Sequence, residues 1–287
     1  MKILVTGGNG QLGSELQALA GSYPAYSFVF TDLEDLDITD ESAVAEFINI
    51  NKIEAILNCA AYTAVDKAEE EKNLADKVNC RAVKILALLA REKKLRLIHI
   101  STDYIFDGKG HIPYTAKGKA NPVNHYGKSK WEGEQTIMTL NPLNSLIIRT
   151  SWVYSSYGNN FVKTMMRLGS ERSELNVIDD QVGSPTYAKD LAEFLLEHAL
   201  TYTSDKTGIY HFTNEGVCSW YDFAKEIIQM AALECQINPI PTSSYPTPAK
   251  RPYYSLLDKA DLKRDFGVTI PYWKDSLRTC IHSLKNK

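Results

Sequence analysis

The chain has 287 residues, a net charge of -3 and a pI of about 6.1. This length suffices for one large α/β unit or two fused lobes, and the lack of a basic block argues against a nucleic-acid partner. No apolar run could span a bilayer and no signal-peptide pattern is present, so we expect no membrane partner and a cytoplasmic protein. Five scattered cysteines without a C-x-x-C pair fit a reducing compartment.

Short apolar segments alternate with helical patterns in the first half of the chain. The predicted strands are Lys2–Thr6, Ser27–Thr31, Ala55–Cys59, Arg96–Ile100 and Ser145–Arg149. The predicted helices lie near residues 11–21, 40–50, 74–93 and 127–140. Apolar strands separated by amphipathic helices predict a parallel sheet with helices on both faces. Right-handed crossovers then make it a doubly wound, Rossmann-type α/β fold.

The second half is less regular. Helices are predicted at Asn159–Ser170, Tyr187–Leu200, Trp220–Leu233 and Tyr272–Leu284, and a strand at Ile209–Thr213. Five prolines between Pro239 and Pro252 exclude a regular helix there, so this segment is either a surface linker or a stiff loop over a ligand. We expect a dinucleotide-binding domain of residues 1–150, to which the chain returns at about 180–212. A smaller C-terminal α/β substrate lobe would comprise residues 151–179 and 213–287.

A glycine-rich turn follows the first predicted strand. Residues 6–13 read TGGNGQLG and satisfy both G-x-G-x-x-G and G-x-x-G-x-x-G. Such a turn lets the backbone approach a pyrophosphate, and the helix that follows offers N–H donors and the positive end of its dipole. Its place at the first βα junction predicts a dinucleotide site. Asp32, after the second strand, is placed to bond the adenosine ribose, which favours NADH without excluding NADPH. Asp37 and Ile38 either hold the adenine edge or form a helix entry.

Tyr126 and Lys130 are the candidate proton-transfer pair. They are four residues apart on a predicted helix and therefore share one face. A nearby ammonium should lower the pKa of the phenol from its ordinary value of about 10. The fourth predicted strand runs into Ser101 and Thr102, whose hydroxyls should face the crevice at the carboxyl ends of the strands.

Two other pairs have the same spacing as Tyr126 and Lys130. Tyr202 and Lys206 flank a loop-like segment. Tyr221 and Lys225 lie on a predicted helix, but no strand-end hydroxyl precedes them by a similar interval. We therefore expect neither pair to be catalytic, because the motif alone has low specificity.

These features resemble the extended short-chain dehydrogenase/reductase superfamily and, within it, the dTDP-4-dehydrorhamnose reductases. The superfamily signals are the glycine turn, the NCAA segment at residues 58–61, and the set Thr102, Tyr126 and Lys130. The narrower signals are the segments 63–69 (TAVDKAE), 101–106 (STDYIF), 149–154 (RTSWVY), 159–161 (NNF), 180–186 (DQVGSPT) and 245–252 (YPTPAKRP). The resemblance covers nearly the whole chain.

The resemblance implies reduction of the C4 ketone of dTDP-4-dehydro-L-rhamnose to dTDP-L-rhamnose by NADPH or NADH. Tyr126 would protonate the alkoxide, Lys130 would hold the nicotinamide ribose and tune Tyr126, and Thr102 would orient the sugar carbonyl. The other implied cofactor-binding residues are Gly7, Gly10, Gln11, Leu12, Gly13, Asp32, Asp37, Ile38, Ala60, Ala61, Tyr62 and Thr63. The implied substrate-binding residues are Thr102, Asp103, Tyr104, Trp152, Asn160 and Arg251.

The resemblance leaves alternatives of other kinds. Related dehydratases carry Asp-Glu after the strand-end threonine, whereas Asp103 is followed by Tyr104 here, which disfavours dehydration. A sugar-nucleotide epimerase or another sugar-nucleotide reductase stays open, as does a non-catalytic NAD(P)-binding regulatory subunit. Some relatives pair through Mg²⁺ held by carboxylates near the GSPT segment. Lys189 lies in that neighbourhood here, so we expect no metal site, and the sequence leaves a homodimer open.

Overall fold

The structure is a computed structural model that describes residues 1–286. Its strands are β1 (Lys2–Thr6), β2 (Ser27–Thr31), β3 (Ala55–Asn58), β4 (Arg96–Thr102), β5 (Leu146–Thr150), β6 (Val153–Tyr154), β7 (Glu174–Ile178), β8 (Val182–Gly183), β9 (Thr186–Tyr187), β10 (Gly208–His211), β11 (Cys218–Ser219) and β12 (Gln236–Ile240). Its helices are α1 (Gln11–Leu19), α2 (Glu41–Asn51), α3 (Lys72–Asp76), α4 (Ala82–Lys93), α5 (His125–Leu140), α6 (Phe161–Glu171), α7 (Ala188–Glu197), α8 (Trp220–Ala231), α9 (Ala260–Phe266) and α10 (Trp273–Lys285).

Six parallel strands form the central sheet in the order β10-β5-β4-β3-β1-β2. The chain moves outward from β1 to β2 and then returns to the other side of β1 at β3, so the order reverses between β1 and β3. In open α/β sheets, ligands bind at the carboxyl ends of the strands beside such a reversal. The glycine turn, which follows β1, lies at this point.

Helices cover both faces of the central sheet. Ile3 and Val5 of β1 pack on one face with Leu12 of α1 and Leu191 of α7. Leu4, which points the opposite way, packs on the other face, where α2 and α4 contribute apolar side chains. The predicted Rossmann-type doubly wound fold is confirmed, because apolar cores cover both faces of the parallel sheet.

A third core lies outside the central sheet. It combines α6, α8 and α10 with the parallel pair β7 and β12, and Phe223 and Trp273 are among its buried side chains. Pro239 lies in β12, where the two-stranded ladder leaves one edge without a partner strand and so tolerates the missing N–H. This core forms the smaller C-terminal α/β lobe. No helix within residues 1–286 is long and apolar enough to cross a membrane.

The predicted helix at 74–93 differs from the structure. The helical segment begins at Lys72 and contains a π-helical turn at Lys77–Arg81 between α3 and α4. Asn79 in this turn bonds the backbone N–H and C=O of Tyr62, and its amide also donates to Ser129. These tertiary bonds stabilise the wider, π-helical turn. The periodicity of apolar residues in the sequence does not indicate such bonds, so the turn was not predicted. The short elements β7, β12 and α9 were not predicted.

Candidate active site

The glycine turn between β1 and α1 forms a tight backbone cradle. Gly7 has a φ of +68°, and a Cβ atom there would lie 2.7 Å from the backbone nitrogen of Ala60. A Cβ atom on Gly13 would lie 2.3 Å from the carbonyl oxygen of Gly7. No other residue type fits these positions without moving the backbone. The turn therefore brings the start of α1 close to the segment after β3.

The start of α1 faces the cleft without a capping side chain. Its N-cap is Gly10, which makes no side-chain cap bond, and Gly10, Gln11 and Leu12 line the cleft. The first N–H groups of a helix have no partner within the helix. Together with the positive end of the helix dipole they form a site for an anion such as a pyrophosphate. The cradle and the uncapped helix start fit a dinucleotide cofactor.

A single cleft of about 1090 Å³ extends from this turn across the carboxyl ends of β1, β3, β4 and β5. Most of the predicted cofactor-binding residues line it: Gly7, Gly10, Gln11, Leu12, Asp32, Asp37, Ile38, Ala60, Ala61, Tyr62, Thr63, Tyr126 and Lys130. The predicted substrate-binding residues that line it are Thr102, Asp103, Tyr104, Trp152 and Asn160. Gly13 lies behind the turn, and Arg251 lies outside the lining.

The two predicted adenosine-side carboxylates accept hydrogen bonds from other groups of the protein. Asp32 accepts hydrogen bonds from the backbone N–H groups of Asn9, at 3.0 Å, and Leu33, at 2.8 Å. Asp37 accepts two bonds from Thr39, and the bond from the Thr39 hydroxyl is the main cause that lowers the pKa of Asp37. Lys77, which was not among the predicted site residues, also lines this part of the cleft.

Tyr126 and Lys130 lie on α5, which begins at the cleft. Lys130 is 2 % exposed, and its Nζ donates to the carbonyl oxygen of Ile100 at 2.7 Å. Burial lowers the pKa of Lys130 to about 8. Burial also raises the pKa of Tyr126 to about 12, and the hydrogen bond with Thr102 opposes that increase. The expectation that Lys130 lowers the pKa of Tyr126 is therefore wrong for this structure, because the ammonium bonds to β4 instead of the phenol.

The strand-end residues of β4 meet the pair on α5. Thr102 Oγ1 lies 3.1 Å from Oδ1 of Asp103 and accepts from the backbone N–H of Tyr104 at 3.2 Å. Asp103 is 2 % exposed, and burial raises its pKa to about 7. The ring of Tyr104 packs edge-on against Tyr126, with centroids 5.6 Å apart. Thr102, Tyr126 and Lys130 thus come together from two elements far apart in sequence.

A buried ion pair fixes α5 against the sheet. Glu134, one turn beyond Lys130, accepts hydrogen bonds from the guanidinium of Arg149 on β5, the shortest at 2.7 Å. Ser101 of β4 donates to the same carboxylate at 2.5 Å. Bidentate charge-assisted pairs of this kind are geometrically specific. The helix that carries Tyr126 therefore cannot rotate relative to β4 and β5 without breaking buried bonds.

The predicted sugar-binding aromatic residue is held in an unusual backbone conformation. Trp152 has a φ of +49°, which is rare for a large side chain. Its ring stacks on that of Trp220, with centroids 3.7 Å apart. Trp220 comes from α8, so the third core supports a residue of the cleft wall.

The two predicted diphosphate-binding residues already have protein partners. Asn160 caps α6 by accepting from the N–H of Lys163, and its amide donates to the carbonyl oxygen of Ser155 at 2.7 Å. Arg251 makes a bidentate pair with Asp66, at 2.7 and 2.9 Å. Their expected contact with a diphosphate stays a prediction, and for Arg251 it requires an exchange of partners.

The other two Tyr-x-x-x-Lys pairs lie away from the cleft. Tyr202 packs edge-on to Tyr210 and against Phe266. Lys225 lies 5.7 Å above the ring of Tyr221 on α8. Neither Tyr202 nor Tyr221 lines the cleft.

The sequence matches the family described as the RmlD substrate binding domain over residues 1–286. It is 42 % identical to the dTDP-4-dehydrorhamnose reductase of Aggregatibacter actinomycetemcomitans, over 96 % of this chain and 97 % of that protein. A dTDP-4-dehydrorhamnose reductase structure from Clostridium acetobutylicum superposes with a TM-score of 0.94 at 45 % identity and covers 99 % and 100 % of the two chains. That from Bacillus anthracis, solved with NADP, has a TM-score of 0.93 at 38 % identity and covers 98 % and 99 %.

Proposed function

The chain belongs to the RmlD substrate-binding-domain family, and we propose that it reduces the C4 ketone of dTDP-4-dehydro-L-rhamnose to dTDP-L-rhamnose, a step of nucleotide-sugar synthesis. The observation that carries this proposal is the meeting of Thr102, Tyr126 and Lys130 in the same cleft as the uncapped start of α1. NADPH is the proposed hydride donor, because the 38 % identical Bacillus anthracis protein was solved with NADP. NADH is an alternative donor.

The bound nicotinamide would supply the hydride, and Tyr126 would supply the proton. Because burial raises the pKa of Tyr126 to about 12, the phenol holds its proton at neutral pH, as a proton donor must. Thr102, which bonds Tyr126, is placed to donate a hydrogen bond to the same carbonyl oxygen. Lys130 follows on the same helix face and would hold the ribose of the bound nicotinamide.

Arg251 is the proposed ligand for the diphosphate of the substrate. Its planar fork suits bidentate phosphate contact. In this structure the same fork is bonded to the carboxylate of Asp66. A phosphate would present a similar pair of anionic oxygens, so substrate binding would replace one anion by another. Asp66 and Arg251 lie in two of the family-specific segments.

A spectrophotometric assay tests the reaction. Purified protein is mixed with dTDP-4-dehydro-L-rhamnose and NADPH or NADH, and net oxidation of the cofactor is followed. Stoichiometric oxidation with formation of dTDP-L-rhamnose is expected. An epimerase would return the hydride and give no net oxidation, and a regulatory subunit would give none either. Oxidation of neither cofactor would therefore refute the reductase proposal.

Tyr126→Phe tests the proton donor. The substitution removes one hydroxyl from a ring that otherwise keeps its packing against Tyr104. We expect turnover to fall about 100- to 10,000-fold, the usual contribution of a positioned acid–base group, while cofactor binding measured by fluorescence titration changes less than about twofold. Turnover at the wild-type rate would show that another group supplies the proton.

A further inference from the structure

A line of buried polar side chains runs from the glycine turn to Lys130. Thr6, Asn58 and His99 occupy adjacent positions on β1, β3 and β4, and each is at most 1 % exposed. The Thr6 hydroxyl donates to Oδ1 of Asn58 at 2.7 Å, and Nδ2 of Asn58 lies 2.9 Å from Nδ1 of His99. The two amide atoms of asparagine can exchange places by a rotation of 180° about the last side-chain bond. Nε2 of His99 then lies 3.2 Å from Nζ of Lys130. Polar groups buried in otherwise apolar strands are costly unless they are bonded.

The protons in this line depend on one another. Burial and the nearby Lys130 lower the pKa of His99 well below its ordinary value, so the ring is neutral and carries one proton. If the Asn58 amide nitrogen donates to Nδ1, the ring proton lies on Nε2 and faces Lys130. Nζ can then accept it only as a neutral amine, because an ammonium has no lone pair.

The reversed amide gives the opposite pattern. The Asn58 carbonyl then accepts from Nδ1–H, and the Thr6 hydroxyl accepts from the Asn58 nitrogen, which a hydroxyl can do equally well. Nε2 of His99 is left as an acceptor that points at Lys130, and an ammonium at that place can donate to it. The amide orientation, the histidine tautomer and the charge of Lys130 therefore change together.

We propose that His99 is a positioning residue for the reaction, which accepts a hydrogen bond from the Lys130 ammonium through Nε2 while Asn58 and Thr6 hold it in the Nδ1–H tautomer. The proposal rests on the proposed function, in which Lys130 holds the nicotinamide ribose as a cation. It also connects the lysine to the phosphate-binding turn, because Thr6 immediately precedes Gly7. Loss of the acceptor would leave Ile100 O as the sole hydrogen-bond acceptor recorded for Nζ within residues 1–286.

The surroundings of Lys130 make its charge sensitive to this acceptor. Burial lowers its pKa to about 8, while Glu134 on its own helix and Cys59 after β3 act in the opposite direction. His99 on β4 is the third titratable neighbour. Lys130 is a cation below its pKa, so activity that needs the charge is lost as pH rises through about 8. Removal of an acceptor lowers this pKa further and moves the loss to lower pH.

The test compares pH profiles of kcat/KM for NADPH among three variants and the wild type. In His99→Asn the short amide remains near Asn58 but cannot reach Lys130, and we expect the alkaline limb to move down by about one pH unit, a tenfold change in the lysine equilibrium. In His99→Gln the terminal amide lies near the former Nε2 and can accept again, so the limb returns to within about 0.3 units of wild type. An unchanged limb in His99→Asn would overturn the proposal.

His211→Gln is the matched control. His211 is 1 % exposed on β10 of the same sheet, and its ring lies 3.1 Å from the backbone oxygen of Asp258 and 3.4 Å from the guanidinium of Arg149, not against Lys130. The amide of glutamine can bond both of these groups. A general loss of packing would lower the stability of His99→Asn and His211→Gln alike, but only His99→Asn should move the alkaline limb of the pH profile. An equal shift in His211→Gln would mean that the profile reports stability alone, which would also overturn the proposal.

An NMR titration of the wild type tests the proposal without turnover. The ¹³Cε shift of Lys130 reports the charge of the lysine, and ¹⁵N shifts of labelled histidine report the tautomer of His99. The His99 ring should be the Nδ1–H tautomer below the pKa of Lys130 and the Nε2–H tautomer above it. A single tautomer across that titration would refute the coupling even if His99→Asn fails to fold. A wild type that shows the coupling but never oxidises NADPH would refute the proposed function alone.

Discussion

The cofactor end and the sugar end of the cleft differ in the state of their polar groups. At the cofactor end, the glycine turn and the uncapped start of α1 present backbone N–H groups to the cleft. At the sugar end, the expected ligand side chains are bonded to other protein groups, as Arg251 is to Asp66 and Asn160 is to α6. The first end is built by backbone geometry and the second by side chains with alternative partners.

This difference has an energetic consequence. Backbone donors at a helix start are fixed before a ligand arrives, so binding needs little rearrangement. Arg251 must leave Asp66 before it can bond a diphosphate. The pair is partly exposed, at 22 % and 39 % of the two side chains, and ion pairs in such positions are weak. The exchange of one anion for another at Arg251 should therefore cost little.

The largest expected effect on ligand binding comes from a substitution at the cofactor end. In Gly13→Ala the new Cβ would lie 2.3 Å from the carbonyl oxygen of Gly7, so the turn must move. We expect the affinity for NADPH to fall about a hundredfold, equivalent to two charge-assisted hydrogen bonds of about 1.5 kcal/mol each. The free energy of unfolding should also fall by about 1–3 kcal/mol.

Gly21→Ala is the control for this substitution. A Cβ atom at Gly21 would have no atom within 4 Å, so the same chemical change is made without a clash. Fluorescence titration with NADPH and thermal unfolding should leave Gly21→Ala close to wild type. If Gly13→Ala bound NADPH as well as Gly21→Ala, the cofactor end would not depend on the backbone cradle.

A smaller effect, on KM for the sugar nucleotide, is expected at the sugar end. Its sign depends on whether Arg251 or Asp66 is substituted. Arg251→Lys loses the planar fork, so KM for the sugar nucleotide should rise about tenfold, the loss of one charge-assisted bond. Asp66→Asn removes the competing charge but leaves an oxygen that can accept from the N–H of Ala249. KM should then fall about threefold, because Arg251 is released more easily.

Steady-state kinetics with the sugar nucleotide varied at saturating NADPH measure both changes. If Asp66→Asn raised KM instead, the carboxylate would hold Arg251 in a productive position and not compete for it. Such a result would make the sugar end as pre-formed as the cofactor end. The affinity for NADPH should be unchanged in both variants, which separates the two ends of the cleft.

The sequence predicted the cofactor end better than the sugar end for a physical reason. A glycine turn and the end of an apolar strand have fixed geometry, so the places of Gly10 and Thr102 in the cleft followed from local pattern. The partners of Arg251 depend on a contact with Asp66, 185 residues away, which no local pattern indicates. The line through Asn58 and His99 was also missed, although a polar residue within each apolar strand was its available signal.

The fold shows the same division. The strands of the central sheet were predicted because their apolar runs are continuous, and β4 merely extends two residues further, to Thr102. The π-helical turn at Lys77–Arg81 was missed because Asn79 is bonded to Tyr62, a tertiary contact. The five-residue strands β7 and β12 became strands through pairing with each other, and short segments of this kind have little pattern of their own.

The smallest expected effect belongs to the repeated Tyr-x-x-x-Lys spacing on α8. Lys225→Met removes an ammonium 5.7 Å above the ring of Tyr221, a contact worth about 0.5–1 kcal/mol at an exposed site. Turnover should remain within about twofold of wild type, because the effect of a surface substitution away from the cleft is small. Lys130→Met, the same change in the cleft, should abolish most turnover. Equal losses in both variants would show that the spacing itself carries the activity, whereas a loss in Lys130→Met alone would locate the activity at the pair on α5, which lines the cleft.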